Sequence, residues 1–448
     1  MRSRFGWWLV LGTGFAALRL WSFWPGREGF GPGVPGDPEE YLRVSRLRLL
    51  SMRFFTEHKP FGYPLFLKLT AQSLPVTVWL QLVVSLASWL FLAAVVARLL
   101  SGRVARRVAP ASLLLLSCGW QTAQWDTVMM TESLTLSAFV LLVALALLVV
   151  QHVTPWRVAA LVVDAIWMTS LRDTNAAVAA FVLVLVAAVV ARRNPRRSLA
   201  AVLVLAAVGC VALVAGTVSV RRWEILVADE IRRRVVLNPP ELAYFRRHGM
   251  PYRPDLARII WTDTRAPRPA ATFEHDPRLA SFMPWFKEHA RATYDDYLLT
   301  HPSVALLQPV EQYRLMLWDS GLQSYHSRGF RPLPSPLNAV AYPGWGTFAL
   351  DAELLVAAAG LFGLLRKSGA RTWLVPYGAM AFSLPLAVIV WDGEPSEVPR
   401  HALLVAVSAR LGALLGGWLV VDAVLARRRA AALDATAFSE GSLTPIGP

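Results

Sequence analysis

Residues 131–150 read TESLTLSAFVLLVALALLVV, and after Glu132 this stretch carries no charged residue. A helix needs about 20 mostly apolar residues to cross the hydrocarbon core of a bilayer. The stretch therefore predicts a transmembrane helix over 133–150, with Glu132 at the mouth of that helix.

The composition of the whole chain also indicates a membrane protein. Of its 448 residues, 55% are hydrophobic and 17% are charged, whereas soluble domains carry about 25% charged residues. These values exclude a disordered protein, a small disulfide-stabilised domain and most soluble enzymes. Cys118 and Cys210 lie within apolar segments, so we expect two buried thiols and no disulfide framework.

Apolar stretches recur along the chain and predict an all-α polytopic membrane protein with about ten transmembrane helices. The predicted spans are 5–24, 75–100, 108–119, 133–150, 158–171, 176–191, 199–220, 346–365, 372–390 and 401–425. The net charge of +15 does not indicate a nucleic-acid partner, because the basic residues form short clusters between these stretches.

The linkers between the predicted spans alternate in charge, which predicts the side of the membrane on which each lies. Short basic linkers, such as 103–107 and 192–197, are expected in the cytoplasm by the positive-inside rule. The longer linkers are expected outside, and they are 25–74, 120–132, 172–175, 221–345 and 391–400. The loop 25–74 is itself rich in Arg and Lys, but the alternation along the whole chain outweighs it. We expect a multi-pass protein of the plasma membrane, in a bacterial cell envelope.

This alternation divides the chain into four parts. Residues 1–220 form an N-terminal transmembrane module that includes the first outer loop, 25–74, and residues 221–345 form an extracytoplasmic insertion. Residues 346–425 form the C-terminal transmembrane helices. Residues 426–448 form a cytoplasmic tail whose small and polar end is expected to be disordered.

The insertion 221–345 is predicted to be mainly helical. Apolar residues recur at helical spacing after Pro239-Pro240 and stop at Gly249, and a second helix is expected to begin at Asp276-Pro277. Three aromatic residues of the second helix are expected to pack in a core and not to line a groove; they are Phe282, Trp285 and Phe286. No glycine-rich phosphate-binding loop occurs in the sequence of the insertion.

Two carboxylates stand out on the outward linkers, where charge beside the bilayer is costly and marks functional candidates. Asp37, in GDPEEY at 36–41, can cap a helix begun by Pro38, or it can be a general base for a hydroxyl nucleophile. The two roles are compatible, because a capping side chain is held in a fixed position. Glu132 can stabilise its helix, because a negative charge at the N-terminus interacts favourably with the helix dipole, or it can be a second carboxylate of the functional site.

Cations accompany these carboxylates on the same linkers. Lys59, in HKPFGYPLF at 58–66, can snorkel from a turn where the chain re-enters the interface, or it can contact a phosphate together with His58. Arg172 can pair with Asp173 or Glu132, or it can hold an anionic headgroup.

Arg400 starts the last predicted span. It can pair with Glu394 or Glu397, or it can form a bidentate phosphate clamp. Carboxylates and cations thus fall on four outward linkers, and no nucleotide-binding loop is present. We therefore expect an anionic lipid substrate in the bilayer and not a nucleotide sugar.

The order of these motifs resembles the GT-C superfamily, the polytopic glycosyltransferases that use polyprenyl-phosphate-linked sugars. Within it, the chain is most similar to the protein O-mannosyltransferase and aminoarabinose-transferase type, over about residues 1–220 and 345–425. The motifs that carry the resemblance are GDPEEY at 36–41, KPFGYPL at 59–65, TESL at 131–134, RDT at 172–174 and EVPRH at 397–401.

The resemblance implies that residues 1–220 are a catalytic module. Asp37 would deprotonate a hydroxyl of a glycan, lipid or protein acceptor, which would attack the anomeric carbon with inversion as polyprenyl phosphate leaves. GDPEEY lacks the adjacent Asp-Glu pair of the family, so Asp37, Glu39 and Glu40 all stay open as the base.

The resemblance also implies Glu132 as the second catalytic carboxylate. The implied substrate-binding residues are Glu40, Tyr41, His58, Lys59, Arg172, Arg400 and His401. No His, Cys, Asp or Glu spacing predicts a dedicated metal site, and no cofactor is certain, although some relatives use a divalent cation that Glu132 would help to bind.

Two other functions remain as alternatives. A transporter or flippase of a lipid-linked or anionic solute would also need charges in the membrane, but no internal repeat is visible and the charges lie at the ends of the spans. A membrane scaffold could instead bind a partner through 221–345.

Overall fold

The structure is a computed structural model that describes residues 2–23, 37–57, 59–192, 197–218, 222–260, 276–318, 330–344, 370–393 and 398–441. Within these ranges every regular element is a helix, which confirms the predicted all-α class. The predicted span 346–365 lies outside the described residues, as do His58, Glu394 and Glu397.

Long helices joined by short ones form the N-terminal part of the described chain. In chain order they are α1 (Arg2–Phe23), α2 (Asp37–Ser45), α3 (Met52–Thr56), α4 (Gly62–Leu69), α5 (Leu74–Leu99), α6 (Ala105–Cys118), α7 (Trp120–Ala123), α8 (Thr131–Gln151), α9 (Pro155–Leu171), α10 (Asn175–Ala191) and α11 (Arg197–Val218). A 3₁₀ turn over Gln124–Thr127 separates α7 from α8.

The insertion is helical in its described residues, as the sequence predicts. Its helices are α12 (Arg222–Arg233), α13 (Pro239–Arg247), α14 (Leu256–Ile259), α15 (Phe282–Trp285), α16 (Arg291–Thr300), α17 (Pro302–Glu311), α18 (Tyr313–Trp318) and α19 (Ser335–Ala341). Gly249 stops α13 as expected, because its φ of 84° lies in the left-handed region and its N–H bonds to Arg246 O at 3.1 Å.

The insertion has a hydrophobic core of its own. Phe282, Trp285 and Phe286 are buried in that core, which confirms that they pack there. Pro284 lies in α15, and a π-helical turn over Phe286–Ala290 follows it before α16 begins. Helical backbone nevertheless runs without a break from Phe282 to Thr300, because Pro284 lies in the first turn, where a backbone N–H has no acceptor within the helix.

The C-terminal part contains α20 (Ala370–Gly393), α21 (Val398–His401) and α22 (Leu403–Gly441). The last helix continues beyond 425 to Gly441, into a segment whose end the sequence predicts to be disordered. Residues 426–435 read ARRRAAALDA, and such alanine- and arginine-rich sequence has high intrinsic helix propensity.

Five of the described helices are long and apolar enough to cross a membrane. They are Leu74–Leu99, Thr131–Gln151, Arg197–Ala215, Thr372–Gly393 and Leu403–Ala426, and Asn175–Ala191 is a shorter apolar helix. The count of about ten spans is therefore not confirmed. The short predicted spans fall on α6 and α9, which have 14 and 17 residues and are below the length that a straight crossing needs.

Helix α8 is the centre of the bundle, and it packs against α5, α9, α10 and α20. After its first turn it carries no charged residue, and nearly all of its residues are buried. A helix without a charged face has no side suited to water and must be enclosed. The central position of α8 fixes the place of Glu132 at its start.

The two ends of the bundle are formed by different segments of the chain. Asp422 on α22 accepts hydrogen bonds from the N–H groups of Ser101 (2.8 Å) and Gly102 (2.6 Å), so the basic linker 103–107 and the arginines at 427–429 lie at the same end. Gln81, near the start of α5, donates to Val128 O at 2.9 Å, which places the start of α8 at the opposite end. We call this second end the site end.

A buried ion pair anchors the start of α8. Arg19 of α1 pairs with Asp126, and both side chains are only 2% exposed. Asp126 also accepts a hydrogen bond from Ser133 Oγ at 2.6 Å, and Arg19 donates to Ser117 O at 2.7 Å. Arg19 lies inside the predicted span 5–24, where an arginine requires a partner.

We expect Asp126→Ala to destabilise the protein by about 3–5 kcal/mol, because it leaves the Arg19 charge buried and unpaired. The double variant Arg19→Met/Asp126→Leu removes both charges and should lose less stability than Asp126→Ala. Thermal unfolding of the purified chain in detergent measures both. A double variant less stable than Asp126→Ala would contradict this account of the pair.

Candidate functional site

Asp37 lies in the first turn of α2 and is held by two cations from distant parts of the chain. Lys59 Nζ donates to Asp37 Oδ1 at 2.7 Å, and Arg400 Nη1 donates to Asp37 Oδ2 at 2.9 Å. Burial alone would raise the pKa of the Asp37 carboxyl, but the charges and hydrogen bonds of Lys59 and Arg400 outweigh it and hold that pKa well below its usual range. Asp37 is therefore a carboxylate, with both oxygens engaged.

Glu132 lies in the first turn of α8 and is 1% exposed. Its Oε1 is 3.5 Å from Arg172 Nη1 and 3.4 Å from Arg400 Nε. Arg400 therefore bridges Asp37 and Glu132, and the glutamates at 394 and 397 lie outside the described residues. Arg172 pairs with Glu132, which is one of the alternatives that the sequence left open.

Lys59 is placed by the turn that precedes α4. A Cβ on Gly62 would lie 2.7 Å from the backbone oxygen of Ser170, so only glycine allows this turn to rest on the end of α9, next to Arg172. The Lys59 ammonium lies 5.3 Å from the centroid of the Tyr41 ring and 3.5 Å from Glu40 Oε2. Burial lowers the pKa of Lys59, but Asp37 more than reverses that effect, so the pKa is raised and the lysine stays charged.

These side chains surround a cavity of about 230 Å³ at the site end of the bundle. Its lining residues are Asp37, Tyr41, Lys59, Pro60, Thr131, Glu132, Arg172, Asp173, Thr174, Leu226, Ile389, Gly393, Arg400 and His401. Three carboxylates, of Asp37, Glu132 and Asp173, and three cations thus come from four segments of the chain that are remote in sequence. A cavity of this size is close to the lower end of the range for small-molecule sites.

The structure brings together most of the residues that the sequence singled out. Asp37, Tyr41, Lys59, Glu132, Arg172, Arg400 and His401 line the cavity, and Glu40 reaches it through Lys59. Glu39 is exposed, and His58 lies outside the described residues.

Several lining residues were not predicted. Leu226 comes from α12 of the insertion, and Ile389 and Gly393 come from the end of α20. Apolar and glycine residues such as these carry no chemical signal in a sequence. The sequence could have indicated three further lining residues, because they are neighbours of Glu132 or Arg172 within the motifs TESL and RDT. They are Thr131, Asp173 and Thr174.

The arrangement suits the binding of a phosphate. Arginine and lysine make short, charge-assisted bonds to phosphate oxygens, and guanidinium groups do so in bidentate fashion. Over the described residues, no group of three or more His, Cys, Asp or Glu side chains is arranged to hold a metal ion.

No protein-family model and no curated protein sequence matches the chain. Among solved structures, it is similar to the archaeal oligosaccharyltransferase AglB from Archaeoglobus fulgidus, solved in complex with an inhibitory peptide and a dolichol-phosphate. The identity is 11% and the TM-score is 0.44; the match covers 99% of this chain and 52% of the other, so this chain spans about half of that length. A likeness at this level does not assign a function.

Proposed function

We propose that the chain is a membrane glycosyltransferase that moves a sugar from a polyprenyl-phosphate carrier to a hydroxyl of a glycan, lipid or protein acceptor, with inversion. The observation that carries this proposal is the cavity in which two carboxylates, Asp37 and Glu132, share Arg400 and lie beside Lys59 and Arg172. One reaction that uses a phosphate-binding cluster and a fixed carboxylate together is displacement of a lipid phosphate by a hydroxyl.

The donor phosphate binds by exchange of ion-pair partners. In the free protein Arg400 and Lys59 are held by Asp37, with distances of 2.9 and 2.7 Å. A phosphate carries more charge than a carboxylate and accepts several bonds at once, so it competes for both cations and for Arg172. When these cations turn to the phosphate, Asp37 is released and its pKa rises towards that of a usable base.

The released Asp37 then acts as the general base. It takes the proton of the acceptor hydroxyl while the hydroxyl oxygen forms a bond to the anomeric carbon. The bond from that carbon to the phosphate oxygen breaks, and its electron pair leaves with polyprenyl phosphate. Arg400, Arg172 and Lys59 stabilise the charge that develops on the phosphate. One displacement on one face of the sugar inverts the anomeric configuration.

Glu132 and the remaining residues position the reactants. Glu132 is buried at the floor of the site, where its free acceptor capacity can hold a sugar or acceptor hydroxyl once Arg400 moves. The Tyr41 ring is buried, with Tyr63 edge-on to it at 5.0 Å between centroids, so it offers a fixed surface beside the sugar. Glu40 and His401 complete the substrate-binding set.

We base the membrane placement on the short basic linkers at the end of the bundle that lies opposite the site. The site end lies opposite the basic linkers, which are retained in the cytoplasm by the positive-inside rule. We therefore place the site on the extracytoplasmic face of the plasma membrane, where a polyprenyl-linked donor lies in the outer leaflet and its phosphate meets the cavity.

Transfer by the purified chain in proteoliposomes tests this function. Polyprenyl-phospho-sugars labelled in the sugar are supplied in the membrane together with a mixture of envelope glycans, lipids and proteins, and labelled product is followed with release of polyprenyl phosphate. We expect covalent transfer that depends on the protein. If the donor only moved between leaflets, with no carrier released, the chain would be a flippase.

A further inference from the structure

A second cavity, of about 740 Å³, lies between the insertion and the outer part of the helical bundle. It is lined by Arg232, Arg233, Arg234, Leu237, Asn238, Glu241, Ala257, Arg258, Gln308, Leu315, Trp391 and Val398. We call it the arginine cavity. The function proposed above does not use it, and the sequence did not single out its residues.

Positive charge is in excess in the lining of this cavity. Four arginines face it, against the single carboxylate of Glu241. Arg232 and Arg233 share Asp229 at 3.0 and 3.9 Å, so one carboxylate serves two guanidinium groups. Burial raises the pKa of Glu241, the one carboxyl group of the lining.

The accessible charge is at the two sides of the cavity. The Arg233 side chain is 38% exposed, and Arg258 of α14 is exposed as well. Arg234 is held in place, since its guanidinium lies 4.1 Å from the centroid of the Trp391 ring and 3.4 Å from Glu230. A fixed arginine with two accessible ones beside it is suited to an extended anion and not to a single ion.

The arginine cavity borders the candidate active site. Leu226 lines the smaller cavity and Arg232 lines the larger one on the same helix, six residues or about 9 Å apart along its axis. At the end of α20, Trp391 lines the larger cavity and Gly393 lines the smaller one. On α21, Val398 lines the larger cavity and Arg400 lines the smaller one. A chain-like ligand in the larger cavity would therefore extend towards Asp37.

We propose that the arginine cavity binds the acceptor and that this acceptor is an anionic glycan, with carboxylate or phosphate groups on the arginines and a hydroxyl directed to Asp37. This assignment rests on the proposed glycosyltransferase function. A glycan fits better than a lipid headgroup because amide and carboxyl groups that bond hydroxyls lie among the arginines, at Asn238, Gln308 and Glu241. The aromatic Trp391 adds an apolar surface of the kind that sugar-binding sites use.

Direct binding of a charged oligosaccharide tests the assignment. The full chain is placed in nanodiscs of neutral lipid, and its affinity for a fluorescent oligogalacturonate is compared with that for the fully methyl-esterified form of the same length. We expect the charged probe to bind about tenfold more tightly or better, since it makes charge-assisted bonds that the ester lacks. Arg233→Gln/Arg258→Gln should abolish most of that preference.

A matched control has the same loss of charge elsewhere on the insertion. Arg247 and Arg291 are exposed and do not line the cavity, so Arg247→Gln/Arg291→Gln should bind as the wild type does. Equal affinity for the charged and esterified probes, or an unchanged Arg233→Gln/Arg258→Gln variant, would overturn the assignment. So would stronger competition by a short-chain phosphatidylglycerol than by unlabelled oligogalacturonate, which would indicate a lipid site.

Binding of polyprenyl phosphate is measured in the same nanodiscs and separates this assignment from the function on which it rests. Both double variants should bind polyprenyl phosphate as the wild type does, because their arginines lie outside the smaller cavity. If the wild type bound oligogalacturonate with the expected preference but did not bind polyprenyl phosphate, the glycan site would stand and the donor proposal would fail. If polyprenyl phosphate bound and oligogalacturonate did not, only the acceptor assignment would fail.

Discussion

Asp37→Asn is expected to lower the rate of sugar transfer by about 10²–10⁴-fold, the range that general base catalysis contributes. Asparagine keeps the size of the side chain and can still accept a hydrogen bond from Lys59, but it cannot take a proton from the acceptor. The loss should fall on kcat, with donor affinity unchanged or improved, because the amide competes less strongly than a carboxylate for Lys59 and Arg400.

Two neighbouring substitutions are the controls for this prediction and decide between the carboxylates of GDPEEY. Glu39 is exposed, so Glu39→Gln should transfer sugar at close to the wild-type rate. Glu40 lies 3.5 Å from Lys59 and competes with the donor phosphate for it, so Glu40→Gln should leave donor binding unchanged or slightly improved and leave kcat near its normal value. A fully active Asp37→Asn, or a Glu40→Gln that loses transfer completely, would show that Asp37 is not the base.

The sequence predicted where the charged residues of the site would lie because the bilayer leaves them few places. Glu132 follows from an apolar run that can tolerate a carboxylate only at its mouth, and Arg400 follows in the same way from the start of the last span. Gly62 and Pro60 mark the break before an apolar helix. Each of these signals is local, and each requires only a few neighbouring residues to be recognised.

The pairing of the charges could not be predicted in this way. Asp37 and Arg400 are 363 residues apart, and their contact depends on how α2, α4 and α21 pack at the end of the bundle. The ion pair of Arg19 and Asp126 likewise joins two separate elements. The sequence of each element shows that its buried charge requires a partner, but not which residue the partner is. Packing of apolar helices is directed by shape, and a periodic pattern does not encode it.

The count of spans shows a limit of a different kind. The spans predicted over 108–119 and 158–171 are short, and the helices there, α6 and α9, extend a few residues further towards their N-termini. With 14 and 17 residues they stand below and at the lower end of the range of about 17–25 residues for a transmembrane helix. The end of α9 lies at the site, where it supports the turn at Gly62 and leads into Arg172.

The second large effect is expected for Arg400→Ala, which should weaken binding of polyprenyl phosphate by about 10–100-fold. A hydrogen bond to a charged group contributes about 1.5–3 kcal/mol, and 1.4 kcal/mol is a factor of ten in affinity. Arg400 is 8% exposed and contacts both Asp37 and Glu132, so its removal also leaves two carboxylates with less positive charge between them. That raises the pKa of Asp37, because the ionised form loses one of the cations that favour it.

This change in pKa gives the variant a signature that a structural role would not produce. Removing a positive charge makes Asp37 easier to protonate, so the acid limb of the pH profile of kcat/KM should move to higher pH in Arg400→Ala. Arg400→Lys keeps the charge but not the bidentate geometry. Its acid limb should therefore lie close to the wild-type pH, while its donor affinity should recover only in part. Affinity for polyprenyl phosphate is measured by binding in nanodiscs, and the pH profile by initial rates of transfer. Wild-type donor affinity in Arg400→Ala, with an unmoved acid limb, would show that Arg400 serves the fold alone and that the phosphate is held elsewhere.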